Sequence, residues 1–179
     1  MLTITIPATE AWDERIERFI NTPETTLVLQ HSLVSLSQWE ARFKKPFLSN
    51  EKKSVDETYG YIQAMSESPI DVDVLRMMTV ENLTAINEYI EDPHTATTIR
   101  EAPGARRSRD IVTNELIYQW MWALQIPMEA QYWHLNRLFT AIRVVNEKNQ
   151  KPKKMGRAEQ LAQQRRLNAE RLEKLGTSG

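Results

Sequence analysis

Near Asn146 the chain changes from a sequence that can bury a core to one that cannot. Ile117 to Val145 is apolar and aromatic, with Trp120, Met121, Trp122, Trp133, Leu138, Phe139 and Ile142. Glu147 to Gly179 has no aromatic residue and carries nine Lys/Arg against four Glu, a formal charge of +5. A body that can pack is therefore joined to a helix-prone arm that cannot, and such an arm usually serves a partner.

The chain has 179 residues. Without the arm, the body has the size of a single domain of roughly 100–150 residues. The whole chain's hydrophobic share of 41% and charged share of 26% are those of an ordinary soluble globular protein. Net charge is −1, but residues 51–101 hold eleven Asp/Glu and four Lys/Arg, a balance of −7. An acidic middle and a basic end permit self-association, although solvated faces are the commoner reason for such patterning. With no cysteine, disulfides, thiol catalysis and Cys-based zinc sites are excluded, and a reducing compartment fits. The segment Met1 to Pro7 lacks a positive n-region and a long apolar run, so it does not read as a signal peptide. No window of about 18 apolar residues occurs, so no membrane span is expected.

The pattern predicts a mainly α (α+β) protein: a small N-terminal β-hairpin or meander, then a helical bundle, then a mobile polar C-terminal helix. Residues 1–150 form the globular domain and 151–179 the basic arm. Leu2, Ile4 and Ile6 alternate with Thr3 and Thr5, and Pro7 stops that strand. Thr25 to Gln30 is a second β-rich run. Ile16 to Ile20 fits a helix or a strand, with strand character favoured at Phe19-Ile20. Ser37-Gln38-Trp39-Glu40 matches a capping box and predicts a helix from Gln38 to Lys44, before Pro46. Ser54-Val55-Asp56-Glu57 is a second box, opening a helix with Val55, Tyr59, Ile62 and Met65 inward. Asp71 to Met77 reads as a short helical turn, and Thr79 precedes a helix over 80–90 with Leu83, Ile86 and Ile90 inward. Residues 94–109 read as the main internal loop. Helices are expected over 110–125, with Ile117, Trp120, Met121 and Leu124 on one face, and over 128–146, with Pro127 in its first turn. Their aromatic surface is the expected main core. After a linker at 151–156, Arg157 to Leu175 is a polar helix with Gly176 suited to its C-terminal cap.

No pattern carries chemistry. His31, His94 and His134 are far apart in sequence and match no metal-ligand spacing, so hydrogen-bonded structural histidines are the simpler reading. The pairs Asp71/Asp73 and Glu91/Asp92 fit solvated helix ends better than acid–base catalysis. Neither a Gly-rich phosphate loop nor a Gly-x-Ser-x-Gly elbow occurs. The reading is therefore non-enzymatic, without cofactor or metal. Arg106-Arg107-Ser108-Arg109 and Lys151, Lys153 and Lys154 could touch phosphates, but the chain is not basic overall and has no nucleic-acid-binding signature. Trp120 and Trp122, two apart on a helix, point to different sides, so at least one is free for a second contact.

Leu29 to Leu48, with Gln38-Trp39-Glu40-Ala41-Arg42-Phe43 at its centre, and Gln131 to Met155, with Trp133-His134-Leu135-Asn136-Arg137, form two extended blocks. Tyr89 to Thr97 and Ile117 to Trp122 lie between them. Together they resemble small tailed-bacteriophage proteins encoded in the tail module near the tape measure gene, similar to tail assembly chaperones. The resemblance covers nearly the whole chain, polar tail included. It implies an assembly factor of the host cytoplasm that coats the apolar helical tape measure protein and assists recruitment of tail tube protein. The alternatives are a structural component of the tail or neck and, with less support, a nucleic-acid-binding phage regulator. On charge and aromaticity, the candidate partner-binding residues are Trp120, Trp122, Trp133, Arg137 and Arg143 in the body. In the arm they are Lys151, Lys153, Lys154, Arg165 and Arg166.

Overall fold

In the computed structural model, residues 1–15, 17–98, 111–149 and 157–175 are described. Four short strands come first: β1 (Leu2–Ile6), β2 (Thr9–Asp13), β3 (Arg18–Thr22) and β4 (Thr25–Leu29). They pair as nested antiparallel hairpins, β1 with β4 and β2 with β3. The strand at Phe19 is present, and of the expected hairpin or meander the structure takes the hairpin. An unforeseen strand, β2, turns β3 back onto itself and leaves β4 to return to β1. Alternation then does the rest: Ile4, Ile6, Leu27 and Leu29 all go inward and are buried.

The helices are α1 (Leu33–Phe43), α2 (Val55–Met65), α3 (Val72–Arg76), α4 (Val80–Glu91), α5 (Asn114–Ala123), α6 (Leu135–Asn149) and α7 (Arg157–Leu175), with a 3-10 turn at Met128–Tyr132. The box at Ser54/Glu57 caps α2 as expected, Thr79 heads α4 with a capping box that it closes with Asn82, and Asp71 caps α3. The start of α1 is a correction. Its cap is Ser32, whose hydroxyl accepts the Ser35 N–H while the Ser35 hydroxyl accepts the Ser32 N–H. Ser37 lies inside the helix, and Glu40 is buried with its carboxylate turned to Phe47 and Asn114. A second correction concerns α6. Pro127 stands outside the 3-10 turn, and extended backbone at Trp133 separates that turn from a helix beginning only at Leu135. The Leu135 N–H is taken by the His31 carbonyl at 2.9 Å, which fixes the new start. The helix α5 is also shorter than 110–125, ending where Gln125 adopts a left-handed φ of 55°. Val55, expected inward, faces solvent at the first residue of its helix, while Tyr61 is buried instead.

The core is divided, which the aromatic stretch alone did not indicate. One apolar cluster joins β1 and β4 to Trp39, Tyr61, Ile62, Met65, Leu75, Ile86 and Tyr89. A second joins Leu33 and Leu36 to Ile117, Met121, Leu135, Leu138 and Ile142. Helix α1 serves both, and Phe47 packs against each. Met1–Asn146 and Glu147–Gly179 are separate compact units. In the second, α7 carries described side chains that are exposed, Leu161 and Leu167 included. Among the described residues no helix is long and apolar enough to cross a membrane.

Candidate interaction surface

The inward stripe of α5 decides what its outer face can be. Ile117 and Met121 are fully buried, so Trp122, one position beyond Met121, points away from that stripe, while Tyr118 lies half-buried at its edge. Their rings stack at 6.3 Å, an i,i+4 pair. The Trp122 indole N–H donates to the Met128 sulfur at 3.3 Å, and the Tyr118 hydroxyl donates to the Gln131 side-chain oxygen at 3.0 Å. The 3-10 turn is thereby tied to α5. The Gln30 side chain donates to the Tyr132 carbonyl, anchoring the far end. Beyond it, the Arg137 guanidinium lies 4.5 Å over the Trp133 ring, a cation–π pair. Trp122 is 64% exposed, and Met128, Tyr132 and Trp133 are exposed too. Burial raises the Tyr118 hydroxyl above its usual range, with Tyr132 nearby adding to the effect.

Of the body residues chosen from sequence, Trp122, Trp133 and Arg137 thus belong to one run of chain built from α5, the 3-10 turn and the start of α6. Trp120 does not join them; it is half-buried against the second cluster. Arg143 lines a separate groove of about 360 Å³ with Glu91, Pro93, Asn136, Phe139 and Thr140. On α7, Arg165 and Arg166 are exposed, and Arg166 pairs with Glu170 at 3.4 Å. Lys151, Lys153, Lys154, the Arg106–Arg109 run and the Gly176 cap lie outside the described residues.

Sequence reasoning missed one exposed aromatic pair. Trp12 and Phe19 are register partners across β2 and β3, in edge-to-face contact at 5.1 Å, and both are exposed. A lone Trp among Thr, Glu, Ala and Asp gives β2 no buried face to recognise.

The structure also gathers the three histidines, which sequence spacing kept apart. The His94 and His134 rings stack at 4.0 Å with planes 2° from parallel, and His31 meets His134 edge-on at 4.9 Å. The His134 Nε2–H donates to the Tyr89 carbonyl at 2.9 Å, and its Nδ1 accepts the Asn136 N–H at 3.3 Å. Those two bonds define a neutral ring. His31 Nδ1 is 2.5 Å from the Tyr61 hydroxyl, and Asp92 sits 2.8 Å from His94 Nδ1. Burial, aided by His134 and His94, lowers the His31 pKa to about 3. Burial likewise lowers that of His134, partly opposed by its bond to Tyr89. Among the described residues no group of three His, Asp or Glu side chains is placed to hold a metal ion. The imidazoles turn ring faces and edges toward one another, and His134 has both nitrogens engaged.

Comparison with protein-family models, curated proteins and solved structures finds no match to this chain.

Proposed function

We propose that this chain is a non-enzymatic assembly factor of a tailed bacteriophage, a tail assembly chaperone that binds the tape measure protein in the host cytoplasm and assists tail tube assembly. The resemblance over Leu29 to Leu48 and Gln131 to Met155 supplies the class. The observation that carries the reading is the exposed apolar run Trp122, Met128, Tyr132 and Trp133, with Arg137 over Trp133. A chaperone for a long amphipathic helix needs apolar side chains held outward on a rigid base. Here α5 and the 3-10 turn are that base. Aromatic rings lose little conformational freedom on binding, and Trp, Tyr and Arg dominate binding energy at protein interfaces. Many copies of modest affinity along one helix would be retained by avidity and displaced by tube subunits. Arg165 and Arg166, exposed on α7, suit recruitment of a second protein partner such as the tail tube protein.

The test is co-expression with the phage's tape measure protein. The expected result is a soluble complex that is lost in a Trp122→Ala/Trp133→Ala variant. A tape measure protein equally insoluble with and without the chain would end the reading. Stoichiometric presence in purified mature particles would replace it with a structural tail component.

A further inference from the structure

Three joints of the fold meet at the histidines. His31 precedes α1, His94 follows α4, and His134 stands between the 3-10 turn and α6. These joints also connect the two apolar clusters. In the chain His31 lies between Leu29 of the first and Leu33 of the second. Tyr61 and Tyr89, which bond to His31, belong to the first cluster; Leu135, whose N–H bonds to the His31 carbonyl, belongs to the second. The Asn136 side chain completes the junction by donating to the Ile90 and Asp92 carbonyls, both at 2.8 Å.

We propose that this histidine junction is an acid-operated latch: as its imidazoles take up protons, the end of α4 with His94 parts from the start of α6, while α1, shared by both clusters, holds the rest of the body together. The geometry gives two reasons. A proton on His134 Nδ1 would face the Asn136 N–H, setting donor against donor where an acceptor is needed. Two flat-stacked rings at 4.0 Å cannot both carry charge without strong repulsion, and His31 adds a third ring to the same group. The other groups facing the junction offer little relief. Asp92 brings one negative charge beside His94, but the Met1 amino group adds positive charge toward His134. Tyr61 and Tyr89 are neutral throughout this range, burial raising both hydroxyls. The lowered pKa values of His31 and His134 agree with rings held neutral by the closed junction. This inference does not depend on the proposed partner.

Hydrogen exchange on the whole chain tests it, with rates corrected for intrinsic chemistry. Between about pH 7.5 and pH 5, peptides spanning 88–94 and 133–138 should lose protection by about tenfold or more and fall below α2, whose own protection declines only with the stability of the whole chain. In His94→Phe, which keeps a ring on the stack but cannot titrate there, the loss should move to lower pH by about half a unit or more. Equal protection of the junction at both pH values would overturn the latch. So would junction and α2 amides exchanging with equal protection at pH 5, or opening of His94→Phe at the wild-type pH. If that variant does not fold, the wild-type comparison alone decides.

Discussion

The Glu40 carboxylate on α1 accepts both the backbone N–H and the side-chain amide of Asn114, at 2.8 and 2.6 Å. Its other oxygen accepts the Phe47 N–H at 2.7 Å. Thr113, at the cap position of α5, makes no side-chain cap bond, so Glu40 does that work from another helix. Glu40→Ala removes a buried acceptor of three donors and leaves all three unsatisfied. The expected cost is about 3 kcal/mol, read as a lower urea midpoint at unchanged m-value. Glu40→Gln keeps one acceptor and should cost about half as much. A loss below about 0.5 kcal/mol for the Ala variant would mean that water replaces the carboxylate.

Gly60 lies in the middle of α2, where helix propensity alone would favour Ala by about 1 kcal/mol. A Cβ there would fall 2.5 Å from Cε2 of Phe43 and 2.6 Å from its Cζ. That ring is not free to move away, because it packs on Trp39 at 5.0 Å with the Arg42 guanidinium over it. Overpacking of this kind costs about 1–3 kcal/mol, so Gly60→Ala should be net destabilising by about 1 kcal/mol. Adding Phe43→Leu should turn Gly60→Ala neutral or favourable. Thermal unfolding of the four-member cycle measures this, and additivity would refute the steric account.

Local signals were legible in the sequence and distant ones were not. The box at Ser54 and the helix start at Thr79 could be read because the signals of each lie within four residues. The same template misplaced the start of α1. Ser37 and Glu40 fit it, but Ser32 lies where β4 ends, and Glu40 finds its partner in Asn114 far along the chain. The opposed directions of Trp120 and Trp122 followed from helix geometry alone. Which of them faces out depended on where Ile117 and Met121 were buried. The histidine junction left no trace, since its three members come from three unrelated joints. Trp12 and Phe19 were hidden for another reason: an exposed pair leaves no alternation between a buried and a solvated face.

Protonation of the junction has a defined sign. The unfolded chain binds a proton at each histidine near pH 6.5, whereas folded His31 refuses one until about 3. Between those values the unfolded state holds more protons, so stability rises with pH. The His31 contribution is complete above about 6.5 and falls by about 1.4 kcal/mol per pH unit as the pH drops through that window. Depressed His134 contributes in the same direction. The lowered carboxylates Glu57 and Asp92 lose their contribution only at lower pH, as each nears protonation. Urea midpoints taken from pH 7.5 to 5 should therefore fall steadily in wild type and less steeply in His31→Phe. A flat profile above pH 5 would show that both rings are charged in the folded state.

Met121 and Trp122 are neighbours in sequence with opposite expected roles. Met121 is fully buried in the second cluster, so Met121→Ala should cost about 2–5 kcal/mol of stability. Trp122 is 64% exposed, stacks on Tyr118 and donates to Met128, so Trp122→Ala should cost less than about 1 kcal/mol. Binding should reverse the order among folded proteins. If Trp122 anchors a partner helix, its removal weakens that complex by about 2 kcal/mol, roughly thirtyfold in Kd. Arg137→Ala tests the adjoining cation–π pair, with a smaller loss expected because the Trp133 ring remains. Titration against an amphipathic segment of the tape measure protein, paired with unfolding curves for each variant, separates the two effects. A Trp122→Ala protein that stays stable and binds as tightly as wild type would remove α5 from the interface.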